Sequence, residues 1–435
     1  MRNWNCVLLM VFSVIAKHAV GQLEYEKAPI HYASAESHDP VAKLIKRIQQ
    51  GQVTLAYSAE HGWLPSLLET LDVPVESQTL VFSKTSLQLH KISPRTPRAL
   101  YFNDDVYVGW CQRGDVIEIA ATDPQLGAVF YTLSQHADEP EITRDRGQCL
   151  TCHATHRTQG VPGYLVRSIY PDNNGRPRTG TRTYVTDHTT SFENRFGGWY
   201  VTGKHGAIQH MGNAIAQDST RPEWLDRDVG ANRSDLHELC DTSRYLRPDS
   251  DIVALMVLEH QSQMHNLIAR ASLETRIARF QDEGINEVLG RPKDTISPST
   301  GRRMDAAAEE LVKYMLFANE AELQSPIRSA SPFVESFQDS THSAVKLDSQ
   351  GRSLRQFDLT KRMFKYPCSY LIYSPAFDGL PILVKQRVQT RLREILYADE
   401  AVEGFEHLTA SDRRAIVEIL ADTKPGFLIE QQHEK

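Results

Sequence analysis

Five consecutive residues, Cys149-Leu150-Thr151-Cys152-His153, have the types and spacing from which a specific chemistry can be named. Two thiols three positions apart can each add across one vinyl group of a porphyrin, forming two thioether bonds. A histidine directly after the second thiol then lies under the iron and offers a neutral imidazole as proximal ligand. The pattern is C-x-x-C-H, the attachment signature of one covalent haem c. Half of a zinc site and the redox dithiol of a thioredoxin-like fold are the competing uses of C-x-x-C. No second C-x-x-C or C-x-x-H pair occurs in the sequence, and the strand–motif–helix setting of a thioredoxin is missing.

The sixth position of a haem iron decides its use. A Met or His there closes the site for electron transfer, whereas an open position admits small ligands or peroxide. Candidates for this distal ligand cluster in TGKHGAIQHMGN (202–213): His205, His210 and Met211, the last 58 residues after His153. Gly206 and Gly212 bound the loop and would let its backbone approach the porphyrin face. His260 is a further distal candidate from another segment, DIVALMVLEHQSQMHNLIAR (251–270), which reads as a helix. His265, five residues on, points about 140° away, so the two histidines cannot share one small ion. His260 and Met264 share a face, suited either to a core or to a haem edge. His156 and His188 read as surface residues or as supports behind the ligands. Phe192, Phe196, Trp199 and Tyr200 are suited to wall the porphyrin or a plain β core. Arg167, Arg195 and Lys204 are the nearest cations in sequence for its propionates.

These groups need elements to hold them. Val41, Leu44, Ile45 and Ile48 repeat with helical period, with Gly51 as a C-cap. From Leu80 to Ser134 the pattern turns β-like, with segments at 99–110, 115–121 and 128–133 separated by Arg-Gly-Asp and Asp-Pro turn signals. This predicts an antiparallel meander, followed by a polar link over 135–150. PDNNGRP (171–177) reads as a turn. Helical patterns return at Ile252–Phe280, Ala306–Leu323 and Pro381–Tyr397, and Thr409 to Asp412 fits a capping box.

The chain has 435 residues, 40% of them hydrophobic and 24% charged, which excludes a disordered chain or a disulfide scaffold. The balance of 48 Lys and Arg against 55 Asp and Glu argues against a nucleic-acid surface. Residues 1–21 have the layout of a signal peptide: Arg2, an apolar run from Cys6 to Ala16, then Ala19 and Gly21 before a cleavage site. Removing it takes away Arg2 and Lys17 and moves the net charge from −7 to −9. No later run is long enough for a stable membrane span. Cys111, Cys240 and Cys368 remain outside the motif, so at most one disulfide can form among them, and Cys368 reads as buried among aromatics.

On Cys149, Cys152 and His153 the chain resembles the c-type cytochromes, and its last helix (408–420) is loosely similar to the closing helix of small cytochrome c domains. It departs from those small domains in placing β-like sequence ahead of the motif. ALYFNDDVYVGW (99–110) and FGGWYVTGKHG (196–206) resemble stretches of a large secreted mono-haem type. The expectation is an α+β protein: signal peptide 1–21, an N-terminal α+β domain 22–140, a haem-binding segment 141–215 and a helical C-terminal region 216–435. Motif and resemblance imply an exported, periplasmic or extracytoplasmic protein with one covalently attached haem iron, exchanging electrons with a redox partner protein. The alternatives are a haem-dependent oxidoreductase of peroxidase type and a haem-based redox or gas sensor. The size, large for holding one haem, favours the enzyme.

Overall fold

The computed structural model of the chain describes residues 24–136, 138–218 and 220–429. The signal peptide read at 1–21, with Cys6, lies outside them.

Asp39 opens the first helix, α1 (Pro40–Gln49), its Oδ1 accepting from the amides of Val41 and Ala42 at 2.8 and 3.0 Å. Pro at the first helical position adds a pre-set φ. Helix α2 (Leu64–Thr70) buries Leu64, Leu67 and Leu68. The chain then runs up and down through β1 (Thr79–Val81), β2 (Arg98–Phe102), β3 (Val106–Trp110), β4 (Val116–Asp123), β5 (Gly127–Ser134) and β6 (Ile142–Arg144). Each strand is antiparallel to the one before. The stretch 99–110 is a hairpin. Asn103 turns it by accepting with Oδ1 from the amides of Asp105 and Val106 at 3.0 and 2.8 Å. The segment expected as a polar link, 135–150, supplies the sixth strand instead, paired to β5.

Leu100, Gly109, Glu118 and Thr132 stand opposite one another across four strands. Their face of the sheet is half-exposed. Residues one position away, among them Ala99, Val108, Ile119 and Tyr131, line the buried face, as strand alternation requires. Tyr131 Oη donates to Asp39 Oδ2 at 2.5 Å, which ties α1 to that buried face.

After β6 come the single-turn helix α3 (Leu150–His153) and a small hairpin of β7 (Arg167–Ile169) and β8 (Thr183–Val185). Asp172 forms the turn read at 171–177, accepting from the amides of Asn174 and Arg176, both at 2.8 Å. Helix α4 (Ile252–Val288) is longer than the 252–280 pattern predicted. Its first two turns, Ile252 to Leu258, are buried on every side, the mark of a central helix. It packs against β5 and against α5 (Pro298–Met315), α6 (Phe333–Gln338), α7 (Pro375–Asp378) and α8 (Ile382–Leu396). Helix α5 lies earlier than the expected 306–323. Ser297 caps its start, and Phe317 and Asn319 end it at φ of 58° and 62°. The capping box of the last helix, α9 (Ala410–Thr423), is present at Thr409 and Asp412.

The structure is thus of mixed α and β composition. Its buried apolar side chains form one main cluster reaching from Tyr25 to Leu428, with a small second one around Met211. All five described cysteines are free thiols, and Cys111, Cys240 and Cys368 are buried. Among the described residues no helix is long and apolar enough to cross a membrane.

Candidate cofactor site

The motif follows directly from the sheet. Asp145 donates its amide to the Phe130 carbonyl of β5 at 2.8 Å. Its carboxylate accepts from the amides of Gly147 and Cys149 at 2.9 and 3.0 Å. That turn starts the short helix on which Cys149 and Cys152 stand one turn apart. Cys149 is half-buried and Cys152 exposed. Burial, reinforced by Asp145 and Glu118, pushes the Cys149 thiol up to about 12.

His153 ends the helix, and its ring is held by one partner. Nδ1 lies 3.0 Å from the carbonyl oxygen of Gly163, while the Gly163 amide donates back to the His153 carbonyl at 2.8 Å. A carbonyl can only accept, so Nδ1 carries the proton and the neutral ring keeps its lone pair on Nε2. Burial holds the imidazole below its ordinary pKa, which preserves that neutral form. No hydrogen bond among the described residues engages Nε2. A metal-binding histidine needs this arrangement: one nitrogen anchored by an acceptor, the other free to ligate.

The ring leans on Phe130, with centroids 4.8 Å apart, at the half-exposed face of the sheet. The Arg98–Glu118 ion pair stands beside it. Gly109 lets the Leu100 and Arg98 side chains close over its backbone: a Cβ there would meet the Leu100 Cδ2 at 3.3 Å and the Arg98 Cζ at 3.5 Å. A flat aromatic ring and an imidazole nitrogen with no hydrogen-bond partner thus lie next to the two thiols. On donor chemistry and tautomer, the residues present fit a covalently held haem.

The distal candidates are placed differently. His205 donates from Nδ1 to the Ile208 carbonyl at 2.7 Å and accepts at Nε2 from the Asn232 amide at 2.8 Å. His210 accepts at Nδ1 from the Gly212 amide at 3.0 Å, so its Nε2 carries the proton and faces the His205 Nε2 at 3.2 Å. All four ring nitrogens are engaged, by the partner ring or by backbone groups. Met211 is fully buried in the small cluster with Tyr170 and Leu225, and its Sδ lies 3.5 Å from Ser168 Oγ. Ser168 and Arg167 are neighbours on β7 and point to opposite faces. Met211 thus packs on the Ser168 side of β7. The structure brings His205 to His210, and no hydrogen bond or ring contact among the described residues links these three to His153.

His260 contacts Ser369 Oγ through Nε2 at 2.8 Å and the His188 Nδ1 through its own Nδ1 at 2.8 Å. His188, read as a surface or supporting residue, is fully buried: its ring stacks on Tyr314 at 4.0 Å and Phe317 at 4.7 Å. Beside this stack Arg195 and Glu259 form an ion pair at 3.4 Å, almost wholly removed from solvent. Burial raises Glu259 to about 7 although Arg195 opposes the shift. Arg195 also donates to the carbonyls of Thr190 and His188, so it serves the core. Lys204 donates to the Asn232 carbonyl. Arg167 keeps a buried Nε without a partner. His156 is exposed.

Three residues of the site were not singled out from sequence: Gly163, Phe130 and Asp145. Asp145 carried a signal, an Asp two residues before a glycine and four before the motif, typical of a side-chain turn. Gly163 and Phe130 carried none, since each acts through space. Comparison with protein-family models, curated proteins and solved structures returned no match.

Proposed function

We propose that the chain is an exported c-type cytochrome, holding one haem through Cys149 and Cys152 with His153 as the proximal iron ligand, and acting in electron transfer. The observation that carries this reading is the His153 ring, fixed by the Gly163 carbonyl in the tautomer that frees Nε2. When bound, the haem supplies a one-electron iron couple. The chain's own residues do the rest. The two thiols fix the macrocycle's position, and the Gly163 carbonyl orients the imidazole and raises its basicity. Phe130, against the His153 ring, would offer an apolar neighbour to a macrocycle held there.

In this reading residues 22–140 are the β-containing N-terminal half, 141–215 the haem segment and 216–435 a mainly helical C-terminal half. A net charge of −9 after export favours neutral or basic redox partners.

A second reading, a haem-dependent oxidoreductase, is favoured by the engagement of His205, His210 and His260 in bonds that use both nitrogens of each ring. Such a site would keep its sixth position open. The test is expression in cells with a c-haem maturation system. Haem staining at the protein's mass on a denaturing gel supports both readings, and no stain there ends them. A low-spin six-coordinate ferric spectrum then favours the carrier; a high-spin spectrum with fast cyanide binding favours the enzyme.

A further inference from the structure

Away from the motif, a cavity of about 460 Å³ opens between the β2–β3 turn, α2 and α6. That volume lies within the range of small-molecule sites. Its walls are apolar, with Phe102, Phe333 and Phe337 among them, and its polar end is Asp104, Asp105 and Arg355. The floor is rigid. Gln261 donates to the Asn103 carbonyl at 2.8 Å, and the His265 Nε2 reaches the Asp104 carbonyl at 2.7 Å. Arg355, 6% exposed, is pinned between the rings of Phe337 and Tyr370, 4.5 Å from each, and pairs with Asp104.

That pairing leaves Asp105 over. Asp105 is half-buried and its side chain takes part in no hydrogen bond or ion pair among the described residues; its Oδ1 is buried without a partner. A buried carboxylate oxygen with nothing to accept from is costly, and native structures rarely leave one unexplained. Burial and the neighbouring Asp104 raise Asp105 to about 7, against the pull of Lys43 and Arg355. Glu69 and Asp72 also line the cavity, so acids outnumber its one arginine. Asp72 meets His342 at 2.8 Å.

We propose that this cavity binds a small organic cation, an amidinium or primary ammonium on an apolar body, whose N–H groups donate to Asp105 while the body lies among the phenylalanines. The site needs no haem and is separate from the motif.

Benzamidine, benzamide and benzoate form an isosteric series of cation, neutral amide and anion, and calorimetric titration of the full chain at about pH 8 compares them. Benzamidine is expected to bind saturably and at least about tenfold more tightly than either control. Asp105→Asn is expected to lower that affinity about tenfold or more with no loss of thermal stability. Ala344→Trp, a half-exposed wall position, is expected to block binding by filling the mouth. No saturable binding of benzamidine overturns the proposal. So does equal binding of the three probes, or benzamidine binding that survives both substitutions unchanged.

Discussion

His153 and Gly163 exchange two hydrogen bonds, 3.0 Å from ring to carbonyl and 2.8 Å from amide to carbonyl, which close the intervening loop on itself. Gly163 has no room for a side chain: a Cβ would stand 2.3 Å from the Asn266 Oδ1. Gly163→Ala must shift the carbonyl that orients the imidazole. The expected result is haem still covalently attached, a weaker iron–histidine stretch in resonance Raman spectra and a shifted midpoint potential. An unchanged stretch and potential would show that Gly163 does not govern the ring.

Under the proposed function the thiols and the imidazole make separable contributions. Cys149→Ser with Cys152→Ser should abolish haem staining on a denaturing gel, and each single substitution should leave one thioether. His153→Ala should keep the stain and lose the native spectrum. A native spectrum in that variant would remove His153 from the iron.

His210→Ala tests whether the paired histidines are structural. The Gly212 amide would lose its acceptor and His205 one of its two donors, a cost of about 1–3 kcal/mol by denaturant unfolding. The haem spectrum should not change. Conversion from six-coordinate to five-coordinate haem would instead make His210 the distal ligand.

Buried titratable groups set the response to pH. His210 and His260 are lowered to about 3 and His265 to about 4, chiefly by burial, from 6.5. Their contribution to stability is present above pH 6.5 and is lost as pH falls towards those folded values. Glu259 and Glu320 act in the opposite sense. Burial raises both to about 7 from 4.5, so their contribution is full below pH 4.5 and is lost as pH rises through 7. The two effects partly cancel between, and stability should drop steeply below about pH 4.5. Urea unfolding of Glu259→Gln should show a pH dependence between 5 and 6.5 that is steeper by about 1.4 kcal/mol per pH unit. An unaltered slope would mean that Glu259 is ionised throughout.

Much of the scaffold was legible because it follows local rules. The period of Val41, Leu44 and Ile48, the Thr409–Asp412 box and the alternation in β4 and β5 each act within a few residues. Strand β6 escaped notice because Ile142, Thr143 and Arg144 are at most half-buried and are held by backbone pairing to β5. His188 read as a surface residue because its polar loop neighbours gave no sign of Tyr314 and Phe317, more than a hundred residues on. In the candidate site, the motif could be read directly. The state of His205 depends on the Asn232 amide, and no spacing rule links those two positions.

Helix α4 carries one further consequence. Asn266 holds Tyr164, the residue after Gly163, by accepting from its amide at 2.7 Å and donating to its carbonyl at 2.9 Å. Gln261, five residues earlier on the same helix, holds the turn that floors the acidic cavity. At 1.5 Å per residue the two anchor points are about 7.5 Å apart along one rod. A cavity occupant that displaces the rod would therefore change the electron affinity of a haem at His153. Oxidising that haem would then change the occupant's affinity by the same factor, because such coupling is reciprocal. Equal affinities in the oxidised and reduced protein would show that the rod transmits nothing.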